Sequence, residues 1–324
     1  GRLIKTQIVS AKEECPMSHE EIFESYSMFA NTFSYLGLPI TRDIKSADLV
    51  VMGIPYDLGT TGRAGTRHGP QSIRAASANL RWEEKRWPWA FKALDKVNAI
   101  DYGDIEFKPS ESASMIDTVV EHVGAIHQQG KKTLSFGGDH FVTLPLLRAV
   151  HKHHGPVALV HFDAHTDTYT PEDDTTSCYD HGCMFYYAPK EGLIDPNHSI
   201  QIGIRTEYTT DTHLFQVIDA THTNILTSEE IAAQIKSRVG DMPVYITFDI
   251  DCLDPAYAPG TGTPVVGGIT TDKAMNILRG LAGINIVGAD VVEVAPAYDH
   301  ADITALAGAT IGLEMIYLMA STAE

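Results

Sequence analysis

Two short stretches of this chain place acids and an imidazole at every second position: Asp163-Ala164-His165-Thr166-Asp167 and Asp249-Ile250-Asp251. Side chains two apart in an extended segment share a face, so each stretch presents its polar groups together. A third cluster, Gly137-Gly138-Asp139-His140, adds another imidazole. Carboxylates packed this way repel one another and resist ionisation, a cost that divalent cations remove. Asp163, Asp167, Asp249 and Asp251 with His140 and His165, and no thiolate, suit manganese better than a structural zinc site, and two metals better than one. A single Asp after a strand is ordinarily a cap and a single His ordinarily a satisfied core group. The clustering of six sets these apart.

Something must bring the three clusters to one rim. Short apolar, β-branched runs at Leu49–Ile54, 97–100, 133–136, 157–162, 199–204, 216–218, 244–248 and Ile286–Val292 predict strands. Several are nearly continuous rather than alternating, the mark of parallel strands covered on both faces. Helical patterns fall between them, through Met115, Val119, Val123 and Ile126 before Gly130, and over 72–80, 229–239 and 271–281. Strand-helix alternation predicts right-handed crossovers and an α/β/α architecture. All three polar clusters then follow strands, where open parallel sheets collect their chemistry.

Bulk properties narrow the function. The formal charge of −18, from 42 acidic against 24 basic residues, argues against a nucleic-acid partner and leaves room for a cationic small molecule. The N-terminal residues lack a secretory pattern and no window reads as membrane-spanning, which predicts a cytoplasmic protein with no membrane partner. Cys15, Cys178, Cys183 and Cys252 form no CxxC pair or disulfide framework. Without a linker or repeat, residues 1–324 read as one domain, with an N-terminal extension of about 1–30.

Ser135-Phe136-Gly137-Gly138-Asp139-His140, His161-Phe162-Asp163-Ala164-His165-Thr166-Asp167 and 247–255 (Thr-Phe-Asp-Ile-Asp-Cys-Leu-Asp-Pro) together resemble the ureohydrolase superfamily of arginases and agmatinases. Gly62-Arg63-Ala64-Gly65, Asp180-His181-Gly182 and Val292-Glu293-Val294-Ala295-Pro296 bring the likeness closest to bacterial agmatinases. The resemblance implies a three-layer α/β/α domain with an eight-stranded parallel sheet, two Mn2+ ions per subunit and a homotrimer or homohexamer. It implies cleavage of a small cationic guanidino substrate, agmatine, to putrescine and urea, with guanidinobutyrate or guanidinopropionate as the alternatives. By matching motif, His140, Asp163, Asp167 and Asp249 would hold one ion, and Asp163, His165, Asp249 and Asp251 the other. Asp167, His181 and Glu293 would be catalytic: Asp167 orienting the nucleophile, His181 transferring a proton, Glu293 binding the guanidinium.

Other residues rank below these. Asp254 reads as a turn residue, His161 as a core or supporting histidine, and His151, His153 and His154 as a cationic helix end before Gly155. Gly260-Thr261-Gly262-Thr263-Pro264 lacks the close of a phosphate loop and reads as pocket wall. Against the arginase segment Ser-Gly-Asn-Leu-His-Gly, this chain has Ser177-Cys178-Tyr179-Asp180-His181-Gly182, so Tyr179 replaces an Asn that helps arginases bind a carboxylate. A one-metal amide hydrolase is disfavoured because His140, Asp167 and Asp251 are all present. An intact ligand set with His181 and Glu293 likewise argues against a lapsed, non-catalytic relative.

Overall fold

A computed structural model of the chain describes residues 34–170 and 179–323. The predicted N-terminal extension lies outside the described residues, as do Cys15, Ser177 and Cys178. The strands are β1 (Leu49–Ile54), β2 (Ala99–Asp104), β3 (Lys132–Gly137), β4 (Ala158–Phe162), β5 (Ile200–Ile204), β6 (Gln216–Asp219), β7 (Val244–Asp249) and β8 (Ile286–Val292). They form a single sheet in the order β2-β1-β3-β8-β7-β4-β5-β6, parallel throughout.

Every residue of β1 is buried, as a strand covered on both faces must be. Leu49 and Val51 join one apolar cluster with Ile73 and the helix Ile303–Ala320. Val50, Met52 and Ile54 point the other way, into a cluster with Met115, Val119 and Val123 of the helix Ser112–Gln128 and Leu144 and Leu147 of the helix Thr143–His154. Helices therefore cover both faces, and the architecture is the expected three-layer α/β/α sandwich. The predicted helix end at His154 is real: Gly155 follows with φ +68°, a backbone that glycine takes without strain.

Two differences have physical reasons. The second strand starts at Ala99 rather than at residue 97, because Val97 closes the preceding short helix Ala93–Lys96. The helix Ile303–Ala320 was not anticipated, since it is apolar on every side and shows no periodic face. Contrary to the sequence expectation, its mean hydropathy of 1.6 over 18 residues meets the length and composition of a membrane span, but 83% of it is buried within the fold, as in a core helix. Its one acid, Glu314, is fully buried and accepts hydrogen bonds from Trp89 Nε1 (2.7 Å) and Arg279 Nη2 (2.6 Å).

Register then sets the site. Phe136, Val291, Phe248 and Phe162 face one another across β3, β8, β7 and β4, the four central strands. The next residues along these strands emerge together at one rim, and all three polar clusters lie there. Entry to the rim is tight at Gly138, where an added Cβ would lie 2.2 Å from Tyr56 O and 2.7 Å from Ile54 O. Gly138→Ala is therefore expected to cost about 1–3 kcal/mol by overpacking against backbone. In helix Ser112–Gln128, Gly124 has only Lys152 Cδ at 3.8 Å, and Gly124→Ala should stabilise by up to about 1 kcal/mol. Urea denaturation of both variants checks the pair; equal effects would contradict the packing account.

Candidate metal centre

Each acid at the rim is held by its own turn. Asp163 follows β4 and its Oδ1 accepts the His165 N–H at 2.7 Å. Asp249 ends β7 and its Oδ1 accepts the Asp251 N–H at 2.9 Å. Asp251 Oδ1 in turn accepts the Ala164 N–H at 3.0 Å, tying the two turns together. Asp139 accepts from Phe141 N (3.0 Å) and from Gly59 N (2.7 Å), which seats His140 and draws in the loop after β1.

The oxygens left over converge. His140 Nδ1 lies 3.1 Å from Asp163 Oδ2, 2.8 Å from Asp167 Oδ2 and 3.2 Å from Asp249 Oδ2. Yet Nδ1 and Asp167 Oδ2 make no hydrogen bond to any described residue. The imidazole aims between three carboxylates rather than at one, which is the geometry of ligands around a common cation. A second group forms beside it, with His165 Nδ1 3.3 Å from Asp163 Oδ1 and 3.1 Å from Asp251 Oδ2. Asp163 thus turns one oxygen to each group. Asp249 Oδ2 stands in the first group, and its Oδ1 takes the Asp251 N–H.

His161 lies close enough to His140, Asp163 and Asp167 to share a metal with them. Its hydrogen bonds argue otherwise. The Gln201 amide donates to Thr166 O (2.8 Å) and to His161 Nδ1 (3.0 Å), while its oxygen faces His213 Nε2 at 2.7 Å. His161 therefore carries its proton on Nε2 and donates it to Asp163 Oδ2 at 2.7 Å. It supports Asp163, as the sequence reading held.

The electrostatics match this crowding. Burial, then Asp163, pushes Asp167 up to about 7. Burial and Asp163 also raise Asp249 and Asp251 above the usual carboxylate range. Burial opposes ionisation of Asp163 too, but His161, His140 and His165 outweigh it and hold that carboxyl low. Four buried carboxylates at one point call for positive charge, and two divalent cations would supply four units.

Glu293 follows β8 in a left-handed conformation, φ +67°, with its N–H bonded to Gly138 O at 2.9 Å. Its Oε1 accepts from His140 N (2.7 Å) and faces His181 Nδ1 at 2.8 Å. Its Oε2 is buried and has no hydrogen-bond partner among the described residues, and a Cβ at Gly262 would stand 3.8 Å from it. That free oxygen is a ready acceptor beside the metal-ligand cluster. Burial opposes charge on His181, but Glu293 outweighs it, helped by Asp139 and Asp167, and raises the ring to about 9.

Sequence reasoning missed Thr61. Its hydroxyl lies 2.8 Å and its N–H 3.1 Å from His181 Nε2, while Gly59 O accepts the His181 N–H at 2.9 Å. Nothing in the residues 57–61 signals that role, because it depends on the loop after β1 folding onto His181. Among the lower-ranked residues, Asp254 is a turn residue, accepting from Ala256 N, Gly267 N and Gly268 N. Arg63 buttresses the pocket wall, donating to Thr261 O at 2.5 Å. Tyr179 stacks on Phe141 with ring centroids 5.0 Å apart, and its hydroxyl lies 3.5 Å from Arg148 Nη2.

Residues 47–317 match the model of the arginase family. The chain belongs to that family. An agmatinase from Serratia proteamaculans (strain 568) is 58% identical over 297 residues, 91% of this chain and 95% of that protein. Among solved structures, a hypothetical agmatinase from Burkholderia thailandensis superposes with a TM-score of 0.87 at 46% identity, covering 91% of this chain and 92% of its own. Proclavaminate amidino hydrolase from Streptomyces clavuligerus gives 0.86 at 37% identity, covering 91% and 99%.

A cation that binds only the folded cluster must stabilise the fold. Thermal melts in excess chelator and then in a divalent cation at a hundred times its dissociation constant should differ by about 2.7 kcal/mol per site. Identical melts would mean that the cluster holds no cation.

Proposed function

We propose that this chain hydrolyses agmatine to putrescine and urea at a two-manganese centre held by His140, Asp163, His165, Asp167, Asp249 and Asp251, in a single ureohydrolase domain. The observation that carries the reading is Glu293 Oε2, a buried carboxylate oxygen left without a partner beside the cluster. A guanidinium offers the N–H donors that such an acceptor needs. The agmatinase relatives support the choice of substrate, and the thiolate-free set of oxygen and imidazole ligands supports manganese.

When bound, a metal pair lowers the pKa of water and so provides a nucleophile near neutral pH. The protein's own groups do the rest. Glu293 holds the guanidinium through Oε2, and its Oε1, bonded to His140 N and His181, cannot turn away. Asp167, whose Oδ2 faces the proposed metal ligands, orients the attacking water through its other carboxylate oxygen. As the central carbon gains its new C–O bond, the C–N bond to the diamine breaks and that nitrogen takes up a proton. His181, whose Nδ1 is bonded to Glu293, supplies it as general acid. Family resemblance adds the homotrimer or homohexamer to this proposal.

Two measurements test the assignment of roles. His181→Asn should keep both manganese ions while turnover falls by about 10²–10⁴, whereas Asp251→Ala should lose metal. Metal analysis beside urea release reads both effects, and wild-type turnover in His181→Asn would remove the proton-transfer role.

Substrate choice is the second test. Arginine adds a carboxylate, and Tyr179, stacked on Phe141, offers it no arginase-like amide. An unpaired, partly desolvated charge is costly. Agmatine should therefore exceed arginine in kcat/KM by roughly 10³, about 4 kcal/mol. Guanidinobutyrate, which exchanges the distal ammonium for a carboxylate, should be poor as well. Urea release from the three compounds with manganese present decides it; faster turnover of either acid would overturn agmatine while leaving the metal centre standing.

A further inference from the structure

We propose that Asp290, acting through Thr247, is a positioning residue of the metal centre that fixes the proton of His140 on Nε2 and so leaves Nδ1 free to bind metal. The inference rests on the reading of His140 as a metal ligand given above.

Asp290 lies within β8, fully buried, and pairs with no cation among the described residues. Three hydroxyls converge on it instead. Thr143 Oγ1 and Tyr245 Oη each donate to Oδ2 at 2.8 Å, and Thr247 Oγ1 donates to Oδ1 at 2.6 Å. The β7–β8 register places Thr247 directly opposite Asp290, so this contact is set by the sheet itself. Burial raises the Asp290 carboxyl, and the three hydroxyls that donate to it oppose that rise.

A hydroxyl has one proton to give. Thr247 gives its proton to Asp290, so only a lone pair remains for His140 Nε2, 2.8 Å away. Nε2 must then be the protonated nitrogen. Nδ1, aimed between Asp163, Asp167 and Asp249, is left with the lone pair that a metal requires. If Thr247 turned its proton toward His140, Nδ1 would carry the hydrogen and a buried carboxylate oxygen would lose its donor, which costs about 1–3 kcal/mol or more. The network therefore keeps a proton on Nε2, so Nδ1 is the nitrogen that can give up its hydrogen to a metal. Thr143 opens the helix that follows His140, so the same carboxylate also anchors the start of that helix.

The test titrates metal-free full-length protein with Mn2+, counting sites and affinities by electron paramagnetic resonance and calorimetry. Thr247→Val, close to isosteric, should weaken one of the two sites by roughly 10–100-fold, and Asp290→Asn should do likewise. Thr247→Ser, which keeps the hydroxyl, should restore near-wild-type affinity. Thr133→Val is the control for loss of a buried strand threonine, since Thr133 bonds His127 at 2.9 Å, and should leave both affinities unchanged. Wild-type affinities in Thr247→Val, or equal weakening in Thr133→Val, would overturn the proposal, and so would failure of Thr247→Ser to rescue. Where Asp290→Asn fails to fold, the Val and Ser variants decide the matter. His140→Ala in the same titration separates the two readings: if it keeps both ions at wild-type affinity, the ligand assignment itself is wrong.

Discussion

Four carboxylates buried at the end of one sheet are the constraint on which the rest of this structure depends. Asp163, Asp167, Asp249 and Asp251 are each at most 4% exposed, and the nearest basic groups are imidazoles rather than lysines or arginines. Such a cluster is unstable unless positive charge enters it. Its residues are therefore held by elements that owe nothing to the cation: parallel strands buried on both faces, packed between two helical layers. The cation-binding geometry is preformed because the sheet is stable for other reasons.

Division of labour between carboxylate oxygens makes this possible. Asp163 and Asp249 each give one oxygen to an N–H of their own turn and turn the other toward His140. Glu293 gives Oε1 to the His140 N–H and His181 and keeps Oε2. The commonplace reading of an acid after a strand, a cap for the turn that follows, is thus correct for the Asp163 and Asp249 turns, and it leaves one oxygen of each for the proposed chemical role. The capping bond removes the side chain's freedom, and the remaining oxygen is aimed without further cost.

This division also explains what could be read from the sequence. The proposed ligands were legible because acids and imidazoles recur at short spacing, although the segments expected to be extended are turns: Asp251 lies in the 3-10 turn Ile250–Cys252 and Asp167 has φ +51°. Although the edge strands β2 and β6 are partly exposed, the central strands were legible because burial on both faces writes itself as continuous apolar runs. The helix Ile303–Ala320 was not, since burial on all sides erases the helical period. Thr61, Thr247 and Asp290 were hidden for a different reason. Their partners, His181, His140 and the three converging hydroxyls, lie across the sheet or across loops, and no spacing along the chain encodes such a meeting. Asp290 sits inside an apolar strand, where alone it looks like an interruption.

Backbone strain marks the same boundary between fold and chemistry. Asp167 and Glu293 hold φ at +51° and +67°, a region in which a residue with a Cβ costs about 1–3 kcal/mol. Glycine would remove that strain at either position, and would remove the carboxylate with it. Both residues are instead clamped by backbone bonds, Glu293 N to Gly138 O and Phe185 N to Asp167 O, at 2.9 Å each. Both also keep a buried oxygen with no hydrogen-bond partner among the described residues. Strain and an unsatisfied acceptor at the same residue are two costs that packing alone gives no reason to combine. They coincide where a carboxylate faces outward from the rim toward something that is not protein, which in the proposed reading is a cation and water for Asp167 and a guanidinium for Glu293.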